Sequence, residues 1–229
     1  RHYRSGEGWA QSGFDKVLEG SWDENINPHY VEVNFNQSCN FKCTYCSPHL
    51  STEWEKEIDD HGAFHLTDFV HNDKEHLDKI GLMPIKGAAK ENPYVEAFWK
   101  WWPDLYKDLH TFRITGGEPL MSKDTWGVLD YIIENPNPNR ELNLAINSNL
   151  GVPDKLIDRF IEKVSRICDE NRVKEFVIFT SVDTWGEQAE YIRSGLVFNQ
   201  FWDNVNKLLT KCPRVNLTFM STYNALSVP

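Results

Sequence analysis

The chain has 229 residues, 40% hydrophobic and 25% charged, with a formal net charge of −10. Thirteen Phe, nine Trp and eight Tyr are more aromatic mass than a disordered chain carries, and the acidic balance disfavours nucleic acid as a partner. No run of about 18 apolar residues offers a membrane span, and one domain is expected, since α/β barrels occupy roughly 200–250 residues.

In chain order, residues 1–28 read as a lead-in that packs on the body through Trp9, Phe14 and Trp22. From residue 29 short apolar runs alternate with amphipathic stretches. Runs at 30–35, 111–115, 141–146, 175–182 and 215–221 are rich in Val, Ile, Phe, Leu or Thr and predict buried strands. Helical periodicity predicts helices over 125–134, 153–168 and 201–209. A stretch at about 47–92 is too long for one crossover and reads as an insertion, with a helix from 51 to 58 capped by Ser51. A further helix at 93–109 carries Trp99, Trp101 and Trp102, which cannot all face one core. His61, His65, His71 and His76 fit no common metal spacing and read as solvated. Strands alternating with helices predict an α/β fold with parallel strands, and such sheets place ligands at the carboxyl ends of their strands.

Five cysteines, an odd number, do not read as a secreted disulfide framework, and no export signal is visible; the expected location is cytoplasmic. Cys168 reads as a small core residue and Cys212 as a turn residue. Cys39, Cys43 and Cys46 instead stand in a C-x₃-C-x₂-C run directly after the first predicted strand. Three thiolates on one loop suit an iron–sulfur cluster or zinc. Structural zinc normally takes four ligands, and His49 is not at a common closing interval. Three thiolates on a four-iron cluster leave one iron open to bind a substrate or cofactor.

The Cys39–Cys46 run, with aromatic Tyr45 before its last cysteine, resembles the radical S-adenosylmethionine (SAM) enzymes. So does Gly116-Gly117-Glu118-Pro119 after the second strand, which is similar to the GGEP element of that family. Asn147 and Asn149 stand where the family's third strand ends, and Ser181 and Arg193 resemble the Ser-x-Asp-Gly … Arg pattern of its peptide-modifying branch. Thr184-Trp185 departs from the Gly-Pro common there. Asn224, after the fifth strand, is a further candidate. Residues 46–54 are similar to the twitch-domain members, whose C-terminal domain is a shortened SPASM domain.

The resemblance implies a partial (β/α)6 TIM-like barrel with five βα units visible at 29–229. The chain begins at Arg1 and ends at Pro229, so the sixth strand and a C-terminal domain are expected to lie outside it. It also implies a [4Fe–4S] cluster on Cys39, Cys43 and Cys46, with SAM on the open iron. Tyr45 would lie near the adenine, Gly116 to Pro119 near the amino group and Arg193 near the carboxylate. Reductive cleavage of SAM and hydrogen abstraction from a peptide or protein would follow, with electrons from a flavodoxin- or ferredoxin-type donor. The alternatives are a small-molecule or nucleotide-modifying member of the same superfamily, or a non-catalytic metal-binding module.

Overall fold

The computed structural model describes residues 14–84 and 92–228, so the expectation for Trp9 lies outside the described residues. Five parallel strands form the central sheet: β1 (Tyr30–Asn34), β5 (Thr111–Thr115), β6 (Asn143–Ser148), β7 (Glu175–Ser181) and β9 (Asn216–Met220). Their order in the sheet is their order in the chain. A doubly wound sheet would reverse direction partway; a single direction of winding is that of a partial barrel. Two-residue ladders add β2 (Lys42–Cys43) against β8 (Arg193–Ser194), and β3 (Phe64–His65) against β4 (Val70–His71).

The helices are α1 (Phe14–Glu19), α2 (Thr52–His61), α3 (Lys74–Lys79), α4 (Pro93–Asp108), α5 (Lys123–Glu134), α6 (Asp154–Asp169), α7 (Gly186–Ile192) and α8 (Phe198–Lys211). Period-2 alternation sends Phe112 and Ile114 of β5, Leu144 and Ile146 of β6, and Phe176 and Ile178 of β7 into one core with helix side chains. In α6, Ile157, Phe160, Ile161, Val164, Ile167 and Cys168 recur at helical spacing and are all buried. The opposite sheet face carries Glu32, Arg113, Asn147 and Ser181, none of them buried. Arg113 on that face donates to Asn147 Oδ1 at 2.9 Å and lies 4.4 Å from the Phe179 ring centroid.

The three tryptophans of α4 part company. Trp102 is fully buried, Trp99 donates to Asp124 Oδ1 at 2.8 Å, and Trp101, 41% exposed, donates to Asn27 Oδ1 at 2.9 Å. Asn27 also donates to Asp108 Oδ2, so polar contacts from the lead-in meet α4. The expectation that Trp22 packs there is corrected, since it is 97% exposed. Cys212, expected in a turn, caps the end of α8 and is buried, its sulfur 3.1 Å from Ser165 Oγ. His61, His65, His71 and His76 are all exposed.

Candidate active site

The loop after β1 is fixed before any ligand is considered. Phe41, in its middle, is buried and occupies the space beside two glycines. A Cβ on Gly151 would lie 3.2 Å from Phe41 Cε1, and one on Gly195 would lie 2.5 Å from the Asn40 carbonyl oxygen. Helix α2 grips the same loop. Ser51 caps it and donates to the Phe41 carbonyl at 2.7 Å, Trp54 Nε1 donates to the Cys43 carbonyl at 2.8 Å, and Thr52 Oγ1 donates to the Cys39 carbonyl at 3.1 Å. Residues 51–54 thus tie the cysteine loop to a helix.

The Gly-Gly turn lies against the run leading into that loop. Gly117 N donates to Asn36 O at 3.3 Å and Glu118 N to Ser38 O at 2.6 Å. Gly116 has φ 132°, and a Cβ there would lie 2.9 Å from Asn36 O; one on Gly117 would lie 2.6 Å from Gln37 O. Both glycines are therefore required by backbone contact between the two loops, beside any approach of a ligand. After Pro119 the chain does not pass straight into α5, which starts at Lys123. A 3₁₀ turn, Pro119–Met121, intervenes, and the Leu120 N–H is taken by Glu118 Oε1 rather than aimed outward.

Glu118 is buried and pinned by three donors, Leu120 N at 2.9 Å, Ser148 Oγ at 2.8 Å and Asn149 N at 2.7 Å. Burial pushes its carboxyl up to about 7, against the pull of those donors. Its side chain therefore braces the second strand end against the third. Asn149 extends the brace, donating to Asn40 Oδ1 at 2.9 Å.

On the other side of the loop, β2 and β8 pair Cys43 directly with Arg193. Arg193 makes a two-point ion pair with Asp183, Nε to Oδ2 at 2.8 Å and Nη2 to Oδ1 at 3.1 Å. The two side chains are 6% and 0% exposed. Asp183 also accepts from Tyr45 Oη and from Thr222 N, both at 2.8 Å. Arg193 Nη1 reaches Cys43 Sγ at 3.5 Å, and its guanidinium lies 5.4 Å from the Tyr45 ring centroid.

These pieces enclose a cavity of about 270 Å³ at the carboxyl ends of the strands. Cys39, Cys43, Tyr45, Cys46, Gly116, Gly117, Asn147, Asn149, Ser181 and Arg193 all line it. Glu118 and Pro119 stand behind that wall, and Asn224 is engaged elsewhere, accepting from Leu226 N at 2.8 Å within its own turn. Trp185 packs on Phe198 and Trp202, at 4.5 and 5.3 Å between ring centroids. Leu50, Thr115 and Ser148 also line the cavity. Burial raises all three loop thiols, Cys39 to about 12 and Cys43 to about 11, so without metal they are protonated near neutral pH. A bound metal would deprotonate them.

Among the described residues, no three His, Cys, Asp or Glu side chains converge on a single ion. The three thiols line one cavity, and thiolates are the donors that iron–sulfur clusters take. Parallel winding, the three-cysteine loop and the adjoining Gly-Gly-Glu-Pro turn thus meet at the carboxyl ends of the strands. The chain is similar to a GTP 3′,8-cyclase of Campylobacter lari, 26% identical over 125 residues that are 54% of this chain and 28% of that one. A GTP 3′,8-cyclase of Nautilia profundicola is 26% identical over 121 residues, 52% of this chain and 27% of that one. The match spans little more than a quarter of either relative. Native anSMEcpe with bound AdoMet, a solved structure, aligns at a TM-score of 0.45 and 15% identity over 84% of this chain and 43% of that chain. No family model matches the chain. No described helix is long and apolar enough to cross a membrane.

Proposed function

We propose that the chain is the core of a radical SAM enzyme, with Cys39, Cys43 and Cys46 as ligands of a [4Fe–4S] cluster. The observation that carries this reading is that all three thiols of one loop line the same cavity as Gly116, Gly117 and the polar strand ends. When bound, cluster and SAM together supply one-electron cleavage of the sulfonium and a carbon radical that takes hydrogen from a substrate. The protein's part is to bind and orient. Gly116 and Gly117 offer backbone to the methionyl amino group, Ser181 and Asn147 offer polar side chains, and Tyr45 offers an aromatic wall for the adenine. The electron enters from a flavodoxin- or ferredoxin-type donor.

Two substrate readings each rest on one observation. A peptide or protein substrate follows from the Ser181 … Arg193 pattern, with both residues lining the cavity. A nucleotide follows from the likeness to two GTP 3′,8-cyclases. Anaerobic reconstitution should give about four irons per chain and dithionite-dependent 5′-deoxyadenosine. Iron uptake that survives the combined Cys39→Ala, Cys43→Ala, Cys46→Ala change would overturn the cluster reading. Faster 5′-deoxyadenosine release with GTP than with peptides would select the nucleotide, and the reverse the peptide.

A further inference from the structure

The resemblance gives Arg193 a place near the SAM carboxylate, yet the protein has already committed most of this side chain. A guanidinium has five N–H donors. Two are held by Asp183 and one points at the Cys43 sulfur. The placement is set by backbone as well as side chain, because Cys43 and Arg193 are ladder partners and Thr44 N donates to Ile192 O at 2.8 Å. The Tyr45 ring and Asp183 then hold the guanidinium, which is almost fully buried.

We propose that Arg193, aimed by Asp183, is a positioning residue that sets the reduction potential of the cluster by donating from Nη1 to the sulfur of Cys43. This rests on the cluster reading above and goes beyond it. Reduction adds one electron to the cluster, delivered by a low-potential one-electron donor, and no bond to Arg193 forms or breaks. A buried cation beside a ligating sulfur stabilises that added charge, and hydrogen bonds to cluster sulfurs and local charge are known levers on such potentials. Arg193 therefore raises the potential. Asp183, buried with it, offsets part of the cation's field while keeping it aimed.

The two members of the pair thus have opposite signs, which a general loosening of the loop would not produce. The experiment is potentiometric titration of the reconstituted full chain, followed by electron paramagnetic resonance in the absence of SAM, with iron counted for each variant. Arg193→Gln is expected to make reduction about tenfold less favourable, 59 mV lower for one electron. Asp183→Asn, which keeps an acceptor for the guanidinium, is expected to shift it the other way. Arg193→Lys keeps the charge but not the two-point fork on Asp183, so a downward shift smaller than that of the Gln variant is expected. In iron-replete protein, a Gln variant within threefold of the unmodified chain, or Gln and Asn shifts of the same sign, would overturn the proposal. Failure of the unmodified chain to hold a cluster would instead overturn the reading beneath it.

Discussion

Two buried carboxylates flank the cavity, and each gathers the ends of separate strands. Glu118 joins the second strand end to the third through two backbone N–H groups and a serine hydroxyl. Asp183 joins the cysteine loop to the fourth and fifth strand ends through Tyr45, Arg193 and Thr222. The first has only neutral donors, so burial leaves its charge poorly compensated and its carboxyl rises to about 7. The second has a buried cation beside it. The same device, a carboxylate used as a knot, thus meets only neutral donors on one side of the cavity and a buried cation on the other.

The largest test of that contrast removes a partner from the ion pair. Asp183→Ala leaves Arg193 buried without its counter-charge, and a loss of roughly 3–5 kcal/mol in unfolding free energy is expected. Denaturant titration at neutral pH measures it. A loss below about 1 kcal/mol would mean that the pair is solvated in solution and that the two knots do not differ in kind.

The second test uses pH. Glu118 has an ordinary value of 4.5 and a folded value of about 7. Below about pH 4.5 both folded and unfolded states hold the proton; between there and about 7 only the folded state does. The Glu118 contribution to stability is therefore fully present below about pH 4.5 and is lost as pH rises towards 7. The change is on the order of 3 kcal/mol. Glu118→Gln should flatten this segment of the stability profile. Its amide would also meet one of the three donors with an N–H, lowering stability by about 1–3 kcal/mol at acidic pH. An unchanged slope in the Gln variant would show that Glu118 is not the group responsible.

Much of the architecture was readable from periodicity. The run at 111–115 coincides with β5, and the other four strands agree within two residues at each end. The cavity wall was readable where chemistry needs particular residue types: three cysteines and two glycines at strand ends. The knots were harder to read. Glu118 belonged to the motif, but nothing local shows that its side chain turns inward to partners 30 and 31 residues away. Phe41 lacks periodicity, and the glycines that make room for it, Gly151 and Gly195, are distant in sequence. Asp183 directly follows the fourth predicted run, but its hold on Arg193 depends on the turn of α7 bringing the two together. Trp22 failed for the converse reason: an aromatic residue in a polar lead-in has no pattern to show which way it faces.

The smallest effect tests whether the two knots are independent. Tyr45→Phe removes one of the four donor contacts on Asp183 and leaves Arg193 and Thr222 in place. Tyr45 is 44% exposed and Phe keeps its ring, so little packing is lost, and about 1 kcal/mol is expected. Combined with Asp183→Asn, the two losses should depart from additivity by roughly 0.5–3 kcal/mol, because both changes act on one hydrogen-bonded group. Combined with Glu118→Gln they should add to within about 0.5 kcal/mol, because no partner is shared. Strong coupling in the second cycle would mean that the cysteine loop transmits strain from one side of the cavity to the other. The neutral and ionic knots would then be a single unit, and a change at either would have to be read as a change at both.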